Sequence, residues 1–531
     1  MMLYRGSSSM VCTTSLFNIP DMVSTRLILV TGIHGFPAVD WDGVTATKDP
    51  YIPGYAHHNS PLFLPWHRLY LAAYEQIIQE YAREIAGQYP RATRTRYQNA
   101  VETLRVPYWD WASNPSLPTI LSQPTLNINT PNGVRSLENP LARYTFRPIP
   151  SANEFPQNFP LSHAPRTQRT PDSNGNDQVA AINAAMQANS KTLTDKVYYL
   201  VARQSDYAPF SNTGFPAERR NGSYDSLESI HNQVHGLVGG NGHMAYVPFS
   251  TFDPLFWLHH CNIDRIWSIW AAINPDSYVS PQTNNIGTYA QASGIVEDEN
   301  TVLYPFRRDN GGKFHTSISA RDTRTFGYSY PEVVDWTAQG EKLVRNTRRA
   351  FKKLYDPTGV LDNQKRSLLN MLTRRGDNSI DREDWFVNIQ VDRTLDHPVA
   401  VNFFIGAPPP ATGDWPTAGN LVASQMVLPD LTFSKVAPPT LAQIPLTRSL
   451  EDARKQGQLN STESKYVQEF LAQQLQWTVT TATGEIIEQA KLTTLQISVI
   501  SQKVHGTSAA DEFSSFERPR NSSALSWSSE G

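Results

Sequence analysis

The sequence predicts a mainly α-helical fold, in which a helical-bundle core is followed by a smaller β-rich domain at the carboxy-terminal end. Two stretches predict the core. Apolar residues recur at helical spacing from Pro65 to Ile78, and an apolar run follows Asp253-Pro254 and continues to Asp264-Arg265. A change of pattern predicts the second domain, because β-branched runs such as WFVNIQVDR and LQISVIS, separated by Gly, Pro and Asp, begin near residue 380.

Composition divides the 531 residues into segments. Residues 1–28 are Ser-rich without a clear period and stay unassigned, 29–335 form the predicted core, and 336–380 form a linker with helical segments. Residues 381–504 form the β-rich domain. Residues 505–531 are Ser-rich and poor in aliphatic side chains, so we expect a disordered tail.

Charge and composition exclude several classes of partner. The formal charge of −3 arises from 46 basic and 49 acidic residues, so no broad electrostatic field favours nucleic acid or an anionic membrane. No apolar run reaches the roughly 18 residues of a membrane-spanning helix. Only Cys12 and Cys261 are present, which suits a reducing compartment, and the first residues lack the order of a secretory signal. We therefore expect a cytoplasmic protein, and its oligomeric state stays open.

Four histidines precede or begin the first predicted helix. In RLILVTGIHGFP a β-like run ends at a glycine and a proline, which places His34 at the edge of a loop. His57 and His58 lie in the loop before the helix, and His67 lies in its first turn.

The predicted secondary structure changes several times after this helix. A predicted helical stretch ends in the segment VETLRVPYWDW, where the aromatic residues Tyr108, Trp109 and Trp111 lie close together. Residues 113–175 are rich in Pro, Asn and Ser and predict long surface loops, whereas residues 176–206 regain a helical composition.

A second group of histidines lies between Leu227 and Trp270. His231 and His235 are four residues apart, so on a helix both project from one face, as a metal-binding pair does. His259 and His260 lie in the apolar run described above, which predicts a buried helix. Neutral imidazole binds zinc, copper, iron or nickel, so we expect a transition metal.

Nine of the 13 histidines fall in these two groups. An isolated histidine is most simply a hydrogen-bonded core or surface residue, but burying so many imidazoles without a ligand leaves many polar atoms to satisfy. Three imidazoles per group, with carboxylates outside the first coordination sphere, fit a pair of copper ions better than a carboxylate-bridged iron pair. The groups are His34, His57, His58 and His67, and His231, His235, His243, His259 and His260.

The motifs FLPWHRLYLAAYEQ, PYWDW, HNQVH, GGNGHM and FDPLFWLHHCNIDRIW resemble those of the tyrosinase, catechol oxidase and haemocyanin family, and of fungal tyrosinases in particular. The resemblance extends from about Thr31 to Tyr330 and implies a helical core that holds two copper ions. It implies copper A on His34, His58 and His67, and copper B on His231, His235 and His260. It makes His259 a neighbour of the ligands that does not bind copper itself, with the reverse order of the pair His259 and His260 as the alternative, and it gives His57 and His243 no counterpart among the ligands.

The resemblance also implies the activity, which is the O2-dependent ortho-hydroxylation of monophenols and the oxidation of o-diphenols to o-quinones. Phe256 would pack against the ligand rings at the floor of the pocket. Glu228 and Asn232 would hold the water that accepts the phenol proton. The simpler alternatives are an ordinary core residue for Phe256, a favourable charge at a helix N-terminus for Glu228 and a surface residue for Asn232.

Three features depart from the pattern of fungal relatives. Ala56 stands where these usually have a cysteine joined to the second copper A ligand, so that cross-link cannot form. Residues 1–28 do not resemble the start of the family's core. The carboxy-terminal domain lacks the CxxC pair that relatives use for copper loading.

The packing around the predicted pocket can also be anticipated. Gly236 would leave one side of the pocket open, and Asp264 would form a structural ion pair with Arg265 or Arg68. The tyrosines of FGYSYPE, Tyr328 and Tyr330, resemble the marker that closes the family's core.

The carboxy-terminal domain resembles the one that shields the site in fungal proenzymes, so we expect a latent chain. The side chain that enters the site would come from the loop between Gly406 and Leu446, with Phe433 or Met426 as candidates and ordinary loop packing as the simpler alternative.

Two other functions stay open. One is a secondary-metabolism enzyme that acts on a tailored aromatic substrate, with zinc in place of copper, as in the cyclopenases that resemble this family. The other is reversible oxygen carriage, as in haemocyanins.

Overall fold

The computed structural model describes residues 3–4, 30–47, 54–147, 149, 151, 154–156, 161–309, 312–356, 381–392, 396–429, 438–488, 494–507 and 509–528. In these residues a helical body that extends to Tyr355 is followed by a domain built on two β-sheets. This arrangement confirms the predicted fold class. None of the helices in these ranges is long and apolar enough to cross a lipid bilayer.

The helices and strands are as follows. The helices are α1 (Phe63–Gln88), α2 (Arg91–Glu102), α3 (Val179–Ala188), α4 (Ser190–Arg203), α5 (Tyr207–Ser211), α6 (Leu227–Gly239), α7 (Leu255–Ile273), α8 (Ser317–Ala320), α9 (Gly340–Tyr355), α10 (Thr447–Lys455) and α11 (Ser464–Gln474). The strands are β1 (Leu3–Tyr4), β2 (Thr125–Thr130), β3 (Gly133–Glu138), β4 (Gln282–Asn284), β5 (Ile295–Glu297), β6 (Val302–Arg307), β7 (Phe314–Thr316), β8 (Tyr328–Ser329), β9 (Asp381–Val391), β10 (Val399–Ile405), β11 (Leu421–Val427), β12 (Thr440–Pro445), β13 (Leu475–Thr481), β14 (Ile486–Ile487), β15 (Gln496–His505), β16 (Ser515–Phe516) and β17 (Arg520–Ser528).

Helix α6 runs through the centre of the helical body and is buried along its whole length. A capping box fixes its start, because Ser226 Oγ accepts from the N–H of Ser229 and Ser229 Oγ accepts from the N–H of Ser226. The helix ends at Gly239, and the next residue, Gly240, has a φ of 54°, in the left-handed region that favours glycine. The two histidines on α6 therefore lie on a helix that is capped at its start and shielded from solvent.

Helix α7 begins at the turn that the sequence predicted. The carboxylate of Asp253 accepts a hydrogen bond from the N–H of Leu255 (2.9 Å) and forms an ion pair with Arg169 (2.6 Å). Both charged groups are buried, so each offsets the desolvation cost of the other. The start of α7 is thereby tied to the long loop that carries Arg169.

The carboxy-terminal domain contains a four-stranded sheet in the order β11-β10-β13-β14 and a five-stranded sheet in the order β12-β9-β15-β16, with β17 also paired to β15. Alternate residues of both sheets form a separate apolar core, which includes Val387, Ile389, Phe403 and Val499. The β-rich domain predicted for residues 381–504 has this architecture.

The predicted disordered tail is wrong for residues 509–528. Strand β17 pairs antiparallel with β15, and β16 pairs with the other end of β15. Phe513 packs against Tyr198 and Phe351, with ring centroids 6.1 and 5.9 Å away. Low aliphatic content misled the prediction, because two aromatic side chains and main-chain pairing to an existing strand are enough to order this segment.

Three further expectations are refined. The apolar run before His34 ends in a helical turn at residues 30–32 instead of a strand, and Tyr70 OH of α1 donates to the carbonyl of Val30 (2.9 Å). The predicted loops at 113–175 contain the hairpin of β2 and β3. The predicted linker contains α9, while residues 357–380 lie outside the described residues. Of residues 1–28, only β1 is described; it pairs in parallel with β8.

Candidate metal centre

The first histidine cluster combines two loops with the start of α1. One ring nitrogen each of His34, His58 and His67 lies within 4.8 Å of the others. His67 Nδ1 donates to the carbonyl of Phe63 (2.8 Å), so its Nε2 carries a lone pair and has no hydrogen-bond partner among the described residues. Gly54 allows the loop of His58 to approach, because a Cβ there would lie 2.2 Å from the carbonyl oxygen of His34.

The second cluster lies between α6 and α7. His231 Nδ1 donates to Asn232 Oδ1 (2.9 Å), and His235 Nδ1 donates to the carbonyl of Met244 (2.7 Å). Their Nε2 atoms therefore present lone pairs to the Nε2 of His260, which lies 2.9 Å from that of His231 and 3.3 Å from that of His235. Two lone pairs that converge on a third imidazole nitrogen at these distances fit a bound cation, which would accept electron pairs from all three Nε2 atoms.

The two clusters form one site. The rings of His67 and His260 stack with centroids 4.6 Å apart. Phe256 stacks on His260 at 3.9 Å and meets the ring of His34 edge-on at 5.1 Å, so this side chain lies under both clusters. Two metal ions held by these histidines would be neighbours.

Burial keeps the clustered histidines neutral. Desolvation lowers the pKa of His67 to about 3 and that of His235 to about 4, and it holds the pKa values of His34, His231 and His260 well below the usual range. A neutral imidazole is the form that binds a transition metal.

The remaining histidines of the two groups have other partners. His57 Nδ1 lies 3.2 Å from Glu297 Oε1, and His243 Nδ1 accepts from the N–H of Gln168 (3.1 Å). Neither belongs to the two clusters described above.

His259 lies among the second cluster but is held differently. Its Nδ1 accepts a hydrogen bond from the indole N–H of Trp111 (3.0 Å), and its ring stacks on that of His231 at 5.1 Å. The sequence predicted that Trp111 belongs to a group of aromatic residues, but it did not predict the hydrogen bond to a histidine 148 positions later.

The two polar residues predicted near the pocket are buried and hydrogen-bonded. Asn232 orients His231, as described above. Glu228 Oε1 accepts from the N–H of Asn59 (2.8 Å), while Glu228 Oε2 accepts from the N–H (2.8 Å) and hydroxyl (3.0 Å) of Thr213. Asn232 is therefore not a surface residue, and sequence reasoning missed the contacts of Glu228 because they come from loops far away in the chain.

A buried polar cluster connects α1 and α7, two of the three helices that carry clustered histidines. Arg68 on α1 donates to Asp264 Oδ1 on α7 (2.6 Å), and Asp264 Oδ2 accepts from the hydroxyls of Tyr328 (2.6 Å) and Tyr330 (2.5 Å). Of the two arginines proposed for Asp264, Arg68 is thus the partner. Arg265 pairs with Glu332 instead, at 2.7 Å.

The carboxy-terminal domain covers the open side of α6. A Cβ on Gly236 would lie only 2.5 Å from Cβ of Met426 on β11, so the space that the glycine leaves is filled by this side chain. Gly236 directly follows His235, so Met426 packs against the helix that carries two histidines of the second cluster. The other candidate, Phe433, lies outside the described residues.

Fold and site together define the class of protein: a helical body with two adjacent histidine clusters, one of three and one of four residues, covered by a β-rich domain. Residues 25–273 match the common central domain of tyrosinase, and residues 384–499 match the tyrosinase C-terminal domain. The chain belongs to the tyrosinase family.

Individual relatives agree with this assignment. The chain is 35% identical over 350 residues to a tyrosinase of Podospora anserina, a match that covers 63% of this chain and 61% of the relative. It is 37% identical over 346 residues to a tyrosinase of Neurospora crassa, covering 61% and 50% of the two chains. The structure of recombinant mushroom tyrosinase superimposes with a TM-score of 0.83 at 25% identity, over 98% of this chain and 96% of that one.

Proposed function

We propose that the protein is a tyrosinase-type oxidoreductase that hydroxylates monophenols at the ortho position and oxidises o-diphenols to o-quinones with O2. The observation that carries this proposal is the pair of adjacent clusters, each with three convergent imidazoles, above the shared floor of Phe256. His34, His58 and His67 would hold one copper ion, and His231, His235 and His260 would hold the other. When bound, the copper pair supplies the binding and activation of O2.

The protein's own residues orient the ligands and exclude water. Asn232 Oδ1 and the carbonyls of Phe63 and Met244 fix Nδ1 protons, so that Nε2 is the ligating atom of three histidines. Three hydrogen bonds hold the carboxylate of Glu228 in place one helical turn before His231, where it would order the water that takes the phenol proton.

The uncleaved chain would be latent. Met426 covers Gly236 beside His235, and its removal requires the carboxy-terminal domain to leave or to move. Proteolysis between residues 340 and 380 should therefore raise turnover of a catechol. Equal turnover before and after cleavage would contradict latency while leaving the activity itself in place.

The activity is tested by metal content and quinone formation. The purified chain should contain two copper ions and convert both a monophenol and an o-diphenol after proteolysis. His260→Asn should lose the copper of the second cluster, whereas the matched variant His243→Asn, at a buried histidine outside both clusters, should keep both ions.

The same measurements separate the alternatives. One zinc ion and no copper would favour the secondary-metabolism enzyme. A copper-loaded chain that binds O2 reversibly but yields no quinone from a catechol would favour an oxygen carrier. The cytoplasmic location stays a prediction of the sequence.

A further inference from the structure

Four histidines, not three, approach the second metal position. One ring nitrogen each of His231, His235, His259 and His260 lies within 4.8 Å of the others. All four side chains are buried. Distance alone therefore does not explain why this position would take three imidazoles and keep a coordination site open, as catalysis with O2 and a phenol requires.

The position of one proton distinguishes His259 from His231 and His235. The indole N–H of Trp111 is a donor only, so the His259 Nδ1 that it contacts at 3.0 Å must carry the lone pair. In a neutral imidazole the proton is then on Nε2, and that nitrogen cannot bind a metal. His231 and His235 have the opposite tautomer, with Nδ1 protonated and Nε2 free.

We propose that Trp111 is a positioning residue that keeps the second metal three-coordinate, by holding His259 in the tautomer that cannot bind metal. Without the indole donor, the His259 proton can move to Nδ1, and Nε2 becomes a fourth imidazole ligand. Four protein ligands make the closed, tetrahedral arrangement of structural sites, in which no position is left for O2 or substrate. This inference rests on the proposed dicopper function.

Trp111→Phe tests the proposal because it keeps an aromatic ring and removes only the N–H donor and part of the indole. X-ray absorption of the copper-loaded protein should detect seven imidazoles over the two coppers instead of six, and turnover should fall about 10- to 100-fold, the range expected for the loss of a partner outside the ligand sphere. The matched control is Trp109→Phe. Trp109 is equally buried in the same segment, but its indole N–H donates to the carbonyl of Asn114 (3.0 Å), so six imidazoles should remain.

A second substitution separates this role from simple packing. His259→Phe keeps the ring that stacks on His231 and removes both nitrogens. In the double variant Trp111→Phe/His259→Phe the fourth ligand is absent, so six imidazoles and most of the turnover should return. If the double variant stays as inactive as Trp111→Phe with six imidazoles in both, the tryptophan acts only by packing and the proposal is overturned.

His259→Phe alone keeps the proposal testable if Trp111→Phe does not fold. It should retain two coppers with six imidazoles, and loss of the second copper would identify His259 as a ligand and overturn the proposal. A wild-type chain that holds no copper overturns the proposed function as well. A wild-type chain with seven imidazoles, by contrast, overturns this inference alone.

Discussion

Single hydrogen bonds decide what each buried histidine can do in this protein. The rings of His235 and His259 are 4.8 Å apart, yet a carbonyl acceptor keeps the proton of the first on Nδ1, and an indole donor keeps the proton of the second off Nδ1. A neutral imidazole has one donor and one acceptor, so the partner on one nitrogen determines the chemistry of the other.

Glu228→Gln should destabilise the protein as well as affect catalysis. The amide nitrogen would face N–H donors from Asn59 or Thr213, leaving one buried hydrogen bond unmade, so the free energy of unfolding should fall by about 1–3 kcal/mol. Denaturant unfolding measures this, with the exposed Glu218→Gln as control. If Glu228 also orders the proton-accepting water, monophenol turnover should fall more than o-diphenol turnover. An equal loss on both substrates would argue for a structural role alone.

His243 should make the metal-free protein less stable in acid. Burial lowers its pKa to about 4, from the ordinary value of 6.5. Between these two pH values the unfolded chain binds a proton that the folded chain does not, so stability falls as pH falls, by about 1.4 kcal/mol per pH unit for this residue. In His243→Asn the slope of unfolding free energy against pH should be smaller by this amount. An unchanged slope would show that His243 does not titrate in this way.

At the scale of secondary-structure elements, α1 and α7 must keep a fixed relation because each carries a ligand whose ring stacks on the other. The buried pair of Arg68 and Asp264 joins these helices, and Arg68 also lies over the ring of Trp267 at 3.7 Å. The pair therefore fixes the distance between the two clusters.

Arg68→Met should destabilise the core by about 3–5 kcal/mol, because it leaves the carboxylate of Asp264 buried without its charged partner. The matched variant is Arg307→Met, which breaks the more exposed pair with Asp42 and should cost no more than about 1 kcal/mol. Denaturant unfolding of both variants checks the difference. Similar losses in the two would mean that the hydroxyls of Tyr328 and Tyr330 are sufficient to stabilise Asp264.

Strand β11 is the element through which the β-rich domain meets the core. It lies at the edge of its sheet, and side chains of the core satisfy its free main-chain groups. The N–H of Ser424 donates to Asn189 Oδ1 (2.8 Å), and Thr192 Oγ1 donates to the carbonyl of Val422 (3.1 Å). This pairing positions Met426, four residues along the same strand from Val422, against α6.

For the molecule as a whole, the two domains are joined by buried polar contacts in addition to apolar ones. Lys196 Nζ, which is fully buried, donates to Gln233 Oε1 of the core (2.8 Å) and to Gln425 Oε1 of the β-rich domain (2.7 Å). A partly broken buried network is costly, so the domains should separate as a unit instead of loosening gradually.

Met426→Ala should raise the turnover of the uncleaved chain several-fold. The side chain fills the space over Gly236 and lines a cavity of about 240 Å³ between α6 and the β-rich domain, so truncation enlarges this cavity and weakens the cover over α6. The assay compares catechol oxidation before proteolysis in wild type, Met426→Ala and Val422→Ala. Val422 lies on the same strand but packs in the separate core of the β-rich domain, so its truncation controls for general destabilisation. Equal activation by both variants would point to loosening of the whole domain.

The sequence by itself determined the fold class and the pairing of His231 and His235 on one helix face. Residues four apart share one face of any helix, so His231 and His235 project together independently of tertiary contacts. The β-branched side chains after residue 380 favour strands through their own conformational preference. A spacing of four residues on a helix is a property of the chain itself.

Only the tertiary structure decided which neighbours the key side chains have. It selected Arg68 over Arg265 for Asp264, placed Met426 on Gly236, ordered the tail and gave His259 its partner Trp111. These contacts join residues that are far apart in sequence, 196 positions for Arg68 and Asp264 and 148 for Trp111 and His259. Local patterns do not encode them, because they depend on how whole helices and sheets pack, and that packing decides which buried nitrogens are free to bind a metal.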